Sequence, residues 1–273
     1  MKSGQRQPRR HWRPSTRSVD SVVGHALRLT SGDTALPTLT TTGHKVAHPT
    51  AMNTAFDTLC SVSSVEMLAR LASEVAEDQW GLVTRAQALA MGVPRATFAR
   101  LVAAGALVRV AHGVYRVTGG PDAGHLDLRA AWLQLDPLTP AWQRMQSDRV
   151  AVVSHRSAAE LYGLGDLIAD IHEFDVPVRT QTRRKDVRLH LRQVPPEDRD
   201  LVGGLPVTRA HRIVADLLNG YEDGSAVATI AVEAVRHGLT TVDEIAEAVA
   251  PFARRYQADG GAALANQLLG DVA

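Results

Sequence analysis

Cysteine is almost missing from this chain. Of 273 residues, Cys60 alone is a cysteine, which excludes an intrachain disulfide and any all-cysteine zinc site. Long apolar runs are missing as well. No stretch approaches the roughly 20 consecutive apolar residues that a membrane-spanning helix needs, so no membrane partner is expected. The N-terminus is basic (Lys2, Arg6, Arg9, Arg10) but has no apolar core ahead of a cleavage site. A secretory signal is therefore not expected, and the cytoplasm is the expected compartment. Acidic residues are absent over one long stretch, from Gln79 to Pro121, where five arginines stand instead (Arg85, Arg95, Arg100, Arg109, Arg116).

What is present is an ordinary globular balance, 45 % apolar and 22 % charged, which rules out a wholly disordered or fibrous chain. The length is about twice that of a typical domain. The net charge of +1 hides a gradient: residues 1–60 carry +5, residues 61–120 carry +2 and residues 121–273 carry −6. A basic front joined to an acidic back suggests that the front meets a polyanion.

Residues 1–60 read as a basic tail expected to be disordered. Clusters such as Leu36-Pro37-Thr38-Leu39-Thr40-Thr41-Thr42-Gly43 show no sustained apolar period and cannot bury enough surface to offset chain entropy. The five arginines from Arg6 to Arg17 are either an arm that strengthens nucleic-acid binding or part of a solvated tail. Met52 also leaves open that the reading frame begins later.

Residues 61–120 have a different pattern. Ser63-x-x-Glu66 reads as a capping box ahead of Val65, Leu68, Leu71, Ala72 and Val75 at helical spacing. Trp80-Gly81-Leu82-Val83 breaks that helix. Thr84-x-x-Gln87 is a second capping box, opening a short helix to Met91. Gly92-Val93 is a turn, Pro94 suits the first position of a third helix, and Gly105 is a natural left-handed stop. Leu107–Val110 and Val114–Val117 flank Ala111-His112-Gly113 as a hairpin. Helix, short helix, turn, helix and hairpin make a winged helix-turn-helix.

In that arrangement the second helix of the pair enters the major groove and flanking elements clamp phosphates. Thr84 and Arg85 at the start of the first helix, and Arg95, Thr97 and Arg100 on the inserted helix, are candidate DNA contacts. Arg95 and Arg100 lie five apart and so off a single stripe, one for a base and one for backbone. Phe98, Leu101 and Val102 are expected to be core. Arg109, His112 and Arg116 on the hairpin are candidate wing contacts to phosphate or the minor groove. A protein contact through the same wing is the alternative.

Residues 121–273 read as an α+β domain with a small sheet. Leu126–Leu135 is an amphipathic helix stopped by Pro137, and Val150–Val153 is a buried strand. Ser157-x-x-Glu160 reads as a capping box. Phe174–Val178 and Val187–Leu191 read as strands joined by the charged turn Arg183-Arg184-Lys185. Gly203–Thr208 delivers Thr208 as cap to a helix over Arg209–Leu218, and Thr241-x-x-Glu244 caps another to Val249. The fold class expected is thus α+β: an N-terminal winged helix-turn-helix domain followed by a mixed α/β C-terminal domain.

Chemistry is sparse in this half. Gly203-Gly204 lacks the strand–GxGxxG–helix context and any following Lys-Ser/Thr of a phosphate loop. Ser154-His155 has no nucleophile elbow around it, and neighbours on a strand point to opposite faces. The histidines at 155, 172, 190, 211 and 237 show no metal-ligand spacing. Asp166, Asp170 and Asp175 lack the Glu-x-Lys of a metal-dependent nuclease strand and read as surface carboxylates on turns. No catalytic residue, cofactor or metal is expected, and the chain is not expected to be an enzyme.

The run Gly81-Leu82-Val83-Thr84-Arg85-Ala86-Gln87, with Gly92-Val93, Leu101-x-x-x-Gly105-x-Leu107, Arg109-Val110 and His112-Gly113-Val114-Tyr115-Arg116-Val117, resembles the N-terminal winged helix of AbiEi-type antitoxins. Val152-Val153-Ser154-His155-x-Ser157-Ala158-Ala159-x-Leu161-x-Gly163-Leu164, Val176-Pro177, Leu189-His190 and Gly204–Thr208 ahead of Arg212–Leu217 extend the resemblance over residues 65–240. It implies a bacterial protein that binds inverted repeats in its own promoter and represses the operon. It also implies that the C-terminal part counteracts a nucleotidyltransferase-type toxin, with or without touching it. A stand-alone winged-helix transcriptional regulator and a nuclease-related DNA-targeting protein are the alternative readings.

Overall fold

The computed structural model describes residues 64–270, so the cap expected at Ser63 and the basic segment 1–60 lie outside the described residues. A helix over residues 64–71 (α1) buries Leu68 and Leu71, then tightens through a π turn, Ala72–Ala76, and a 3-10 turn, Glu77–Gln79. It ends where Trp80 takes a left-handed backbone, φ 57°. Leu82–Thr84 (β1) follows, so the residues read as a helix break are also a strand.

Thr84 ends β1 and caps Arg85–Ala90 (α2). Its hydroxyl accepts the Gln87 backbone N–H while the Gln87 side chain accepts the Thr84 N–H, the reciprocal box expected there. Pro94 stands one place earlier than expected: it is the N-cap of Arg95–Ala103 (α3), not its first helical residue. Past the left-handed Gly105, Leu107–Ala111 (β2) and Val114–Val117 (β3) form the hairpin over His112-Gly113. The three strands are antiparallel in the order β1-β3-β2. With α1 to α3 they make a winged helix, as the sequence pattern implies.

Because strand side chains alternate between faces, this small sheet serves two cores. Val83, Leu107 and Val117 pack with Leu71, Phe98 and Leu101 beneath the helix-turn-helix. Leu82 and Val114 belong to the core of the second domain. Leu126–Leu135 (α4) lies against the sheet and buries Trp132, whose indole donates to the Ala151 carbonyl at 2.7 Å.

After a short helix, Ala141–Met145 (α5), the second domain is built on five strands: Val152–Val153 (β4), His172–Val176 (β5), Val187–Leu191 (β6), Arg199–Val202 (β7) and Leu205–Thr208 (β8). Their order is β6-β5-β4-β8-β7. β5 and β6 run parallel, as do β4 and β8, and the other two pairings are antiparallel. His155–Tyr162 (α6) packs on β5 and on Ala210–Asn219 (α7); Gly224–Arg236 (α8), Val242–Val249 (α9) and Gly261–Leu269 (α10) complete the helical layer.

Three local expectations are corrected here. Ser157 is not a cap: α6 begins at His155 directly after β4, and the Ser157 hydroxyl donates to Ile171 O and accepts Glu173 N–H, tying α6 to β5. Thr208 is not a cap either, since Arg209 holds the N-cap position and the Thr208 hydroxyl is buried without a partner. Asp175 is not on a surface turn but buried in β5. The helices α5, α8 and α10 and the strand β7 have no counterpart among the sequence expectations. For α8 a signal existed, because the Asp223 carboxylate caps it by accepting Ser225 and Ala226 N–H.

Candidate nucleic-acid interface and a buried polar centre

The exposed cations of the winged helix lie on the helix-turn-helix and on the hairpin that follows it. The Arg85 backbone N–H donates to Gly113 O at 2.8 Å, so the start of α2 lies against the wing turn. Arg85, Arg95, Arg100 and Arg109 are exposed, and none has an ion-pair partner among the described residues. Arg95 opens α3, whereas Arg100 falls in its last turn and donates to the Thr97 hydroxyl at 3.1 Å. Arg109 lies 3.4 Å from His112 Nδ1, and the His112 ring is exposed. Arg116 differs: it is half-buried and reaches Asp122 at 3.7 Å.

Two members of the expected contact set are not at the surface. Thr84 is fully buried, with its hydroxyl occupied by the cap and by Pro137 O. Thr97 is 3 % exposed and holds the Arg100 guanidinium. Thr84 caps α2 and Thr97 positions Arg100, so neither hydroxyl faces a ligand. The reason is the helical register: Thr97 shares the inward side of α3 with Phe98 and Leu101.

The second domain adds charge beside the wing. Gln134, near the end of α4, donates to His112 O at 2.7 Å and accepts from Arg184 Nη1 at 3.0 Å. The β5–β6 connection that carries Arg184 also exposes Arg179, Arg183 and Lys185, none with an acidic partner among the described residues. The sequence displayed the run Arg183-Arg184-Lys185, but only the folded chain brings it next to the wing.

A second constellation lies between the five-stranded sheet and α6 and α7. Period-2 alternation puts Glu173 and Asp175 on one face of β5, and the parallel register sets Arg188 beside Glu173 and His190 beside Asp175. His155 enters from the start of α6, in a left-handed backbone conformation of φ 53°. Its ring stacks on His190 with centroids 3.9 Å apart and planes 13° from parallel. Glu173 Oε1 is 3.2 Å from His190 Nε2 and 3.3 Å from Arg188 Nη1, while its Oε2 accepts Arg156 N–H. Arg192 bridges Asp175 and Asp216.

Burial dominates the titration of this centre. It raises the carboxyls of Asp175 and Asp216 above the ordinary range. Burial, and then the His190 ring, lowers His155 to about 4, so its imidazole is neutral at pH 7. Burial acts upward on Glu173 too, but there the His190 bond and the surrounding donors outweigh it and the carboxyl sits below its usual value.

Two sequence arguments fail here for topological reasons. Ser154 and His155 do not point apart, because they occupy a strand-to-helix turn: the Ser154 hydroxyl lies 3.0 Å from His155 Nδ1. Two of the five histidines that lack local ligand spacing, His155 and His190, meet in space, since β5 and β6 bring His190 under α6. His155, Glu173 and His190 place ligand atoms within 4.8 Å of one another.

Residues 66–118 match the family model described as transcriptional regulator, AbiEi antitoxin. The match runs from within α1 to the end of the wing. No curated protein matches the chain. No helix among the described residues is long and apolar enough to cross a membrane.

Proposed function

We propose that this protein is a DNA-binding antitoxin that represses its own operon, reading inverted repeats in the promoter through the winged helix and counteracting a nucleotidyltransferase-type toxin. It acts in the bacterial cytoplasm without catalysis. The observation that carries the DNA-binding part is the set of exposed arginines free of acidic partners, Arg85, Arg95, Arg100 and Arg109, on a winged helix that matches a family of antitoxin regulators. Phosphate neutralisation needs such unpaired cations, and a solvated surface ordinarily mixes signs.

The positions divide the work. Arg95, at the N-terminal end of α3, is the side chain for a base edge, where a guanidinium pairs with guanine in two hydrogen bonds. Arg100, in the last turn and steadied by Thr97, suits a phosphate. Arg109 and His112 on the wing and the Arg179–Lys185 connection beside it lengthen the cationic track.

A gel-shift titration of the full chain tests this, with its own upstream DNA, scrambled DNA and the Arg95→Ala/Arg100→Ala variant in parallel. Saturable, preferential binding that fails in the variant is expected. Equal affinity for both DNAs, or an unaffected variant, would assign the winged helix to another partner. Metal-dependent DNA cleavage that persists in highly purified protein would favour the nuclease-related reading instead.

A further inference from the structure

We propose that His155, Glu173 and His190 form a site for one divalent transition-metal ion, with zinc the best match to the donor set. This inference is independent of the DNA-binding reading. Two imidazoles and one carboxylate, with no thiolate, are the ligands of three-residue zinc centres, which leave a further position for water or another ligand. The three come from different elements, the start of α6, β5 and β6, and their ligand atoms lie within 4.8 Å of one another. His155 and Glu173 are both buried.

The surroundings resemble the outer shell of a metal centre. Ser154 Oγ, itself fully buried, lies 3.0 Å from His155 Nδ1. That contact orients the ring and leaves Nε2 for an ion. Glu173 is held at both ends: Oε2 accepts Arg156 N–H, and its own backbone N–H donates to the Ser157 hydroxyl. His155 keeps a left-handed backbone that is strained for a non-glycine residue, at the strand-to-helix turn that opens α6.

The ring geometry states what binding requires. Imidazole lone pairs lie in the ring plane, so two rings stacked 13° from parallel cannot both point at one ion. One ring must turn about its Cβ–Cγ bond. His190 is the ring with room, its side chain 28 % exposed, and its present contact with Glu173 Oε1 is the one the ion replaces. The Arg188 guanidinium, 3.3 Å from the same oxygen and 59 % exposed, can withdraw into solvent. Binding therefore unstacks the histidine pair.

The test is a titration of EDTA-dialysed full-length protein with Co2+ as a spectroscopic probe, followed by competition with Zn2+. His190→Gln, Glu173→Gln and His237→Ala are titrated alongside; His237 is an exposed histidine outside the cluster. Expected are visible ligand-field bands of low-coordinate Co2+ that saturate at one ion per chain and are displaced by Zn2+. His190→Gln and Glu173→Gln should each lower affinity by more than about a hundredfold, beyond the roughly 10–100-fold that losing an outer-shell partner costs, and His237→Ala should not. Zn2+ should also raise the melting temperature of the parent and not of His190→Gln, whose near-UV circular dichroism reports whether it is folded. Substoichiometric binding, unchanged affinity in both cluster variants, or loss only in His237→Ala would overturn the proposal.

Discussion

The indole Nε1 of Trp80 donates to the carbonyl of Gly203 at 2.9 Å, across 123 residues of sequence. Arg129 Nη1 donates to the same oxygen at 2.7 Å, and its guanidinium lies 4.8 Å from the Trp80 ring centroid. Trp80 also meets Trp132 edge-to-face at 5.8 Å. The residue that ends α1 is thus fastened to the β7–β8 turn, and the winged helix and second domain share packing as well as sequence.

Gly204 makes that fastening possible. Its φ is +82°, and a Cβ there would stand 2.8 Å from Trp80 Nε1. Gly204→Ala is expected to cost about 1–2 kcal/mol for the left-handed backbone alone, with a further loss as the indole moves. Denaturant unfolding followed by tryptophan fluorescence measures this. Stability equal to the parent would show that the turn has room to relax.

Arg192 is the counter-charge for two buried carboxylates, Asp175 and Asp216. Arg192→Met leaves both without it and should destabilise by about 3–5 kcal/mol, as breaking a buried ion pair does. Adding Asp175→Asn and Asp216→Asn should recover part of the loss, because the neutral amides need no counter-charge. A triple variant no more stable than Arg192→Met would place the loss in packing instead.

Asp186 reports on the connection beside the wing. Its hydrogen bond and charge pairing with Arg184 lower the carboxyl to about 2. A carboxyl depressed in the folded state stabilises it above the unfolded value and loses that contribution as pH falls toward the folded one. Carboxyl NMR titration should find Asp186 well below an ordinary aspartate, and Arg184→Gln should return it to the usual range. An ordinary value in the parent would mean that the pair does not persist in solution.

Arg100→Ala should weaken DNA binding and reduce the slope of log affinity against log salt by about one unit, the signature of one phosphate contact. Affinity measured at several salt concentrations reads both quantities. A loss of preference at one base position with an unchanged slope would reassign Arg100 to a guanine. No change in either would remove it from the interface.

Much of the winged helix was legible because its signals are local. The Thr84-x-x-Gln87 box, the Gly105 stop and the tight His112-Gly113 turn each depend on a few neighbouring residues, and each lies where the pattern puts it. Ser157 and Thr208 show the limit of the same reasoning. Both resemble caps by spacing, but β4 runs straight into α6 and Arg209 takes the cap position of α7. Tertiary contacts decided which hydroxyl faces which backbone group.

The sequence alone determined the local helices and turns of residues 84–117, the absence of acidic residues between Gln79 and Pro121, and the resemblance that the family match bears out over residues 66–118. These are properties of adjacent residues, and helix capping, turn chemistry and charge sign need no distant partner. Tertiary structure alone decided that Thr84 is sealed under Pro137, that the Arg184 connection adjoins the wing, and that His155, Glu173 and His190 converge. The parallel pairing of β5 with β6 brings Glu173 and His190 together from separate segments. No spacing rule along the chain encodes that meeting, because it depends on which strands pair and in which direction.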